Sequence, residues 1–468
     1  MAWPDSTISI DIDSPALLES TAPCLFLAFQ CDRPTAPPQR YLLDGLGAVE
    51  FGRSHERGAE EVANGESARL YVRIPDPTMS SVHAELRRAG GGWELTDAGS
   101  KNGTLVNGER CASRRLLADG DLLEMGRTLF LFRRAIAVPS RSPHETLDRS
   151  IPGMATLIPA LVSEFDRVRA VAKGSINVTI VGESGTGKEL LAGAIHRLSG
   201  RAGAFVAFNC GAVPPSLIAS ELFGYRKGAF SGAEEDRPGL IRSAEGGTLF
   251  LDEVGELAPE SQVALLRVLQ EREVLPLGTT RPIKVNVRFL SATSRDLLEA
   301  VASGRFRPDL HARLAAFTCR LPPLARRRED MGLIVAELLR RHAGETAQLI
   351  TIAVEAARAL WSYPWPGNVR ELDNCVSAAL LLARGGRIGL AHLPPEVRSP
   401  PESIPSPSSG PLQRPLTQTQ VQRRDRLVAL LEAHGGNVSA VARELGKERV
   451  QVQRWVKRFE LDPRSFRR

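Results

Sequence analysis

No apolar stretch in this 468-residue chain approaches the roughly 18 to 20 residues that a membrane-spanning helix needs. Val376 to Ala383 is one of the best, and it is far too short. The start, Met1-Ala-Trp-Pro-Asp5, lacks the basic flank and apolar core of a secretory leader. These two absences predict a cytoplasmic protein with no membrane partner. Cysteine is scarce and scattered: Cys24, Cys31, Cys111, Cys210, Cys319 and Cys375 form no Cys-x-x-Cys pair and have no nearby histidine at metal spacing. They predict reduced, mostly buried thiols and no metal held by cysteine. Net charge is also missing from most of the chain. Residues 417–468 hold twelve Lys and Arg against six Asp and Glu, a net of +6; the whole chain is also +6, so everything before them sums to zero. A short basic module on a neutral body suits a polyanion, and double-stranded DNA is the obvious one.

What is present is a composition of 43% apolar and 24% charged residues, which reads as folded and globular. The length calls for two to four domains. Two stretches interrupt the periodic sequence. Residues 137–153 (AVPSRSPHETLDRSIPG) are polar and proline-bearing; residues 399–415 (SPPESIPSPSSGPLQRP) are denser in Pro and Ser and predict a flexible tether. In the first block, short apolar or alternating runs such as Cys24 to Phe29, Ala48 to Phe51, Arg69 to Arg73, His83 to Leu86, Trp93 to Thr96 and Thr128 to Phe132 are separated by turn residues. They predict a β-sandwich. The middle block alternates strands (Asn177 to Val181, Thr248 to Leu251, Val287 to Ala292) with helical segments, as an α/β parallel sheet does. The last block is all-α: Leu427, Leu430 and Leu431 share one helix face, and Val438, Val441 and Leu445 share another.

Gly182-Glu183-Ser184-Gly185-Thr186-Gly187-Lys188 lies between the strand Asn177 to Val181 and a helix beginning near Leu190. Glycines there let backbone N–H groups converge on phosphates, the helix adds its positive end, and Lys188 adds a point charge. ATP is the predicted ligand. Glu189 stands where the general pattern has Ser or Thr on magnesium. Downstream, Gly247-Thr-Leu-Phe-Leu-Asp252-Glu253 is an apolar strand ending in two carboxylates. Asp252 suits a Mg²⁺ site, and Glu253 suits the base that polarises an attacking water.

On these residues the middle block resembles the sigma-54-dependent AAA+ activators, from about Ala155 to Val397. Glu189 is the residue that family carries after the lysine. Gly228-Ala229-Phe230-Ser231-Gly232-Ala233 is similar to its Gly-Ala-Phe-Thr-Gly-Ala surface loop, with Ser231 in place of Thr. The resemblance implies that this loop touches sigma-54 and that the protein remodels closed complexes of sigma-54 RNA polymerase. It also implies that Asn209 restrains Glu253 and that Thr293 stands on the sensor strand, followed by Ser294 where the family has Asn. Arg307 and Arg313 would reach the nucleotide of a neighbouring subunit, which requires a ring, by resemblance a hexamer. Arg370, in Trp365-Pro-Gly-Asn-Val-Arg370, would reach the phosphates from a helical lid.

Gly52-Arg53-Ser54, Ser80-Ser-Val-His83 and Gly99-Ser-Lys101-Asn102-Gly103 make the first block resemble a forkhead-associated (FHA) domain. That resemblance implies a phosphothreonine-containing partner, with Arg53, Ser80 and Lys101 on the phosphate and Asn102 on the peptide backbone. His83 would buttress the loop. The last block resembles a Fis-type helix-turn-helix turning at Gly446, which implies Gln451 and Arg454 on base edges and Arg449, Lys457 and Arg458 on phosphates. The expected organisation is FHA domain 22–136, linker 137–154, AAA+ α/β subdomain 155–323, helical lid 324–398, Pro/Ser-rich linker 399–416 and helix-turn-helix 417–468. The expected function is a phosphothreonine-gated, DNA-bound ATPase acting on sigma-54 polymerase. The alternative is an FHA adaptor and DNA-binding regulator whose ATPase no longer couples productively to sigma-54; Ser231 and Ser294 divide the two. An AAA+ protease or helicase component needs neither the surface loop nor the terminal helices.

Overall fold

The computed structural model describes residues 20–64, 67–138 and 151–399, and in the C-terminal part 426–428, 430, 431, 433–435, 437–445 and 452. They belong to two units, one up to Glu402 and one from Ser403.

The first unit opens with strands β1 (Ser20–Gln30), β2 (Gln39–Leu42), β3 (Leu46–Arg53), β4 (Gly58–Asn64), β5 (Ser67–Ile74) and β6 (Ala84–Ala89). β7 (Gly92–Asp97), β8 (Thr104–Val106), β9 (Glu109–Arg110), β10 (Arg115–Leu116), β11 (Leu122–Met125) and β12 (Thr128–Val138) follow. They form two sheets, ordered β2-β1-β12-β11-β8-β9 and β10-β7-β6-β3-β5-β4. Between the sheets lie Leu25, Leu27, Phe51, Leu86, Trp93, Phe130 and Phe132. Because side chains alternate along a strand, Cys24, Phe26 and Ala28 point out of this sandwich. They are nevertheless buried, in a core shared with the helical lid.

The α/β part begins with α1 (Pro159–Ala172), β13 (Val178–Val181), α2 (Lys188–Leu198), β14 (Phe205–Asn209), α3 (Pro215–Phe223) and α4 (Gly239–Ser243). It continues through β15 (Thr248–Asp252), α5 (Pro259–Glu271), β16 (Glu273–Val274), β17 (Ile283–Lys284), β18 (Arg288–Thr293), α6 (Leu297–Ala302), α7 (Pro308–Leu314) and β19 (Phe317–Arg320). Five strands pair in the order β14-β15-β18-β13-β19, every pair parallel. β13 sits inside the sheet and β15 two positions away. Their carboxyl ends therefore open along the same edge of the sheet, where α/β sheets hold ligands. The lid carries α8 (Met331–Ala343), α9 (Val354–Ser362), α10 (Asn368–Leu382) and α11 (Pro395–Arg398).

In the second unit Leu427, Leu431, Val441, Ala442 and Val452 form a small core, and Val438–Glu444 is helical (α12). Among the described residues no helix is long and apolar enough to cross a membrane. All six cysteines are buried and unbridged.

Candidate active site

β13 is buried on both faces, with Val178 and Ile180 on one and Thr179 on the other, and it ends where the chain must turn sharply. Gly187 makes that turn at φ 100°, a conformation open to glycine, and α2 starts at Lys188 with no side-chain cap. The first N–H groups of the helix are thus left for a ligand. They open on a cleft of about 610 Å³ lined by Ser184, Gly185, Gly187, Lys188 and Glu189 from the loop. Asn209, Asp252, Glu253 and Arg370 line it from β14, β15 and α10. A narrower, mainly apolar cavity of about 180 Å³ adjoins it at Gly187 and Leu190, walled by Ile151, Thr186, Leu321 and Leu333. Gly182 sits at the sheet edge, its N–H donating to the Thr293 carbonyl (3.1 Å). The Thr186 hydroxyl donates to the Glu183 carbonyl at 2.8 Å.

Lys188 is buried, and its ammonium donates to the carbonyls of Gly182 (3.0 Å) and Glu183 (3.3 Å) and to Glu253 Oε1 (3.2 Å). The other Glu253 oxygen, Oε2, accepts from the Ser294 N–H (3.0 Å) and hydroxyl (2.9 Å). Glu253 has φ 50°, strained for a non-glycine residue and typical of functional positions. Burial works to raise its pKa. The Ser294 and Lys188 hydrogen bonds outweigh burial and hold the carboxyl below its usual range. Asp252 moves the other way: burial raises its pKa against the pull of Lys188, and the charge on Glu253 adds to the rise. Adjacent carboxyls pushed apart in this way can take different roles.

The bonds on Glu253 differ from the one that the resemblance implies. The Asn209 side chain does not hold Glu253; Asn209 ends β14 opposite Asp252, and its Oδ1 turns back to accept from Gly211 N–H at 2.9 Å. Ser294 holds Glu253 instead. Thr293 is fully buried, its hydroxyl accepting from Arg295 N–H at 3.0 Å, so Ser294 is the polar group this strand presents to Glu253.

The lid closes one side of the loop. Arg370 Nη1 donates to the Ser184 hydroxyl (3.0 Å), and its N–H donates to the Gly185 carbonyl (3.3 Å). Two residues that sequence reasoning missed belong beside it. Buried Asn368 (φ 56°) donates to Glu183 Oε2 and to the Ser184 carbonyl, each at 3.1 Å. Buried Arg327 donates to the Thr186 carbonyl at 2.6 Å. Asn368 lies two residues before Arg370, inside a segment that already stood out; Arg327, in a run of arginines, gave no local signal. Arg307 and Arg313 are exposed and line neither cavity; Arg307 is paired with Asp309 at 2.6 Å.

Residues 228–233 form the tip of a hairpin. Tyr225 bridges Arg237 at its base, and the Lys227 N–H donates to Asp236 (2.8 Å). Gly228 and Gly232 take φ 82° and 104°, so both ends of the tip need glycine. Ala229 is half-buried and Ala233 buried, while Ser231 is exposed. Phe230 is 43% exposed and its ring meets Tyr225 edge-on at 4.9 Å.

In the sandwich, Arg53 N–H donates to the Ser80 carbonyl (2.9 Å), and the Ser80 hydroxyl accepts from Lys101 N–H (3.0 Å), keeping its own proton to donate. The side chain of Asn102 donates to the Thr78 carbonyl at 2.7 Å. Three loops therefore meet, with Arg53, Lys101 and Asn102 exposed. His83 is buried beneath them: its Nδ1 accepts from Ser80 N–H and its Nε2 lies 3.2 Å from the Gly103 carbonyl. Burial lowers its pKa and favours the neutral ring. Gly446, Arg449, Gln451, Arg454, Lys457 and Arg458 lie outside the described residues.

Residues 155–320 match a family model described as the Sigma-54 interaction domain, 325–409 one described as the AAA+ ATPase lid domain, and 49–126 one described as the FHA domain. The chain is 40% identical over 334 residues to the transcriptional regulatory protein GlrR of Escherichia coli (strain K12), covering 70% of this chain and 72% of that one. It is 41% identical over 336 residues to the Nif-specific regulatory protein of Klebsiella pneumoniae, covering 70% of this chain and 64% of that one. Among solved structures, NtrX from Brucella abortus in complex with ATP is 32% identical over 66% of this chain and 69% of its own, with a TM-score of 0.47. The chain belongs to the sigma-54-dependent transcriptional regulators, built on an AAA+ core with an FHA domain.

Proposed function

We propose that this protein is a DNA-bound ATPase that remodels closed complexes of sigma-54 RNA polymerase and is gated by a phosphothreonine protein at its FHA domain. The observation that carries this reading is the meeting of an uncapped helix start, Lys188, Asp252, Glu253 and Arg370 around one cleft. Residues 182–189 hold the phosphates of ATP, and the adjoining apolar cavity takes the base. Asp252 fits Mg²⁺, being a half-buried carboxylate beside the phosphate loop, and the ion would neutralise phosphate charge. Glu253 accepts a proton from the attacking water. Lys188 is bonded both to loop carbonyls and to Glu253, so phosphates that draw the ammonium away loosen one bond on the base. Ser294 keeps its hold on the other oxygen. Arg307 and Arg313, outside their own cleft, serve the neighbouring subunit of a ring, which we take to be a hexamer. Phe230 supplies the apolar anchor that meets sigma-54, and the 417–468 module binds double-stranded DNA.

The decisive experiment measures ATP turnover and open-complex formation together, with sigma-54 polymerase on supercoiled promoter DNA. Turnover without open complexes would sink this reading. Replacing Ser231 by Thr restores a methyl on the exposed tip; one buried methyl is worth about 0.8 kcal/mol, so open-complex yield at limiting protein should rise roughly fourfold with ATPase unchanged. For the input domain, Arg53→Ala should weaken binding of a phosphothreonine peptide by about 10- to 100-fold, because a charge-assisted bond is lost, and leave basal ATPase intact. Equal binding of phosphorylated and unphosphorylated peptide by the unmodified protein refutes the gate.

A further inference from the structure

The runs Cys24 to Phe29 and Thr128 to Phe132 are apolar at every position but Thr128, although a sandwich strand with one wet face should alternate. The structure accounts for this. Outward-facing Phe26, Ala28 and Leu131 share one core with Leu338, Ile352 and Trp361 of the lid. The Phe29 and Trp361 rings lie 5.1 Å apart. Polar contacts frame the patch: Ile352 N–H donates to the Cys31 carbonyl (2.9 Å), Arg340 to the Thr35 carbonyl (2.7 Å), and Arg358 to both oxygens of buried Glu124 (2.7 Å each). Closest of all is Gly332 on α8. A Cβ built there would overlap the Ala28 carbonyl oxygen and lie 3.2 Å from its carbon. This interface is packed like a domain interior, with an ion pair sunk at its edge.

One turn of chain carries this contact to the phosphate loop. Arg327 donates to the Thr186 carbonyl. Two residues on, buried Glu329 pairs with Arg133 of β12. Buried Asp330 accepts from the Thr156 hydroxyl (2.8 Å) and Leu157 N–H (2.7 Å), and the Leu157 carbonyl accepts from Arg40 of the sandwich (3.1 Å). The sandwich, the lid and the loop are therefore joined within four consecutive residues.

We infer that Arg327 is a positioning residue for the phosphate loop and that the docked FHA sandwich holds it in place, so that loosening the FHA–lid contact weakens nucleotide binding. This rests on the reading of the cleft as the nucleotide site, but not on any phosphopeptide. It supplies the route by which a partner at the FHA loops acts on the motor: through the position of the lid.

Gly332→Ala is the test, in the full chain. Alanine favours the helix more than glycine does, so the lid itself is not weakened, while the added methyl pushes against β1. Two quantities are read: hydrogen exchange at the Ile352 amide, which is bonded across the interface, and the Kd for a fluorescent ADP. Exchange should accelerate, Kd should rise about tenfold, and KM for ATP should rise with little change in kcat. Arg327→Ala should raise Kd similarly while Ile352 stays protected; Arg327→Lys, which keeps a donor, should recover part of the loss. Faster exchange with an unchanged Kd overturns the coupling. Unchanged exchange in both Gly332→Ala and the bulkier Gly332→Val overturns the close approach on which it stands. Failure of the unmodified chain to bind ADP strikes instead at the nucleotide assignment.

Discussion

Lys188→Ala is expected to abolish nucleotide binding. The side chain is 6% exposed, and its ammonium satisfies two loop carbonyls and one Glu253 oxygen. Truncation leaves three acceptors without that donor and removes the only loop cation from the phosphate site. A charge-assisted hydrogen bond is worth about 1.5–3 kcal/mol, and more than one contact to phosphate is lost, so affinity for a fluorescent ADP should fall at least about 100-fold. Ring assembly, if it depends on nucleotide, should fail with it. Tight binding by a variant that melts near the unmodified temperature would refute the assignment of residues 182–188.

Glu253→Gln separates chemistry from binding. The amide keeps the shape but cannot take a proton. Turnover should fall about 10²- to 10⁴-fold while ADP affinity changes little, as general-base losses do. A variant that loses affinity and turnover together would make Glu253 a binding group. The pH profile gives a finer check. Hydrogen bonds favour the ionised carboxyl, so its folded-state pKa is depressed, and the base stays active until pH falls through that lowered value. Ser294→Ala deletes one of those bonds and keeps the N–H donor. The pKa should rise toward the ordinary carboxyl range, and the acid limb of kcat/KM should move to higher pH. A limb that stays put, or moves down, contradicts the hold by Ser294.

The elements legible in the sequence were those whose information is local. The loop 182–188 could be read because backbone curvature, the strand before it and the helix after it are all encoded within a dozen residues. The sandwich strands β1, β3, β5 and β12 showed in apolar runs between turn residues, whereas β9 and β10, two residues each, carried no periodicity to read. Asn209 failed as the holder of Glu253 for a related reason. Its strand position was readable, but its side chain was captured by a neighbouring N–H in its own loop. Ser294, which stands where the family has Asn, makes the bond.

By itself, then, the sequence determined the α/β core, the phosphate loop with its two carboxylates, the glycine-hinged tip at Phe230 and the sandwich of the input domain. Only tertiary structure decided that the sandwich and the lid are not separate bodies. The all-apolar run at Cys24 to Phe29 signalled that both faces of β1 are covered, but a strand cannot name what covers it. That choice was made by shape at Gly332 and by charges far apart in sequence, Arg133 with Glu329 and Arg358 with Glu124, which act only once the chain has brought them together.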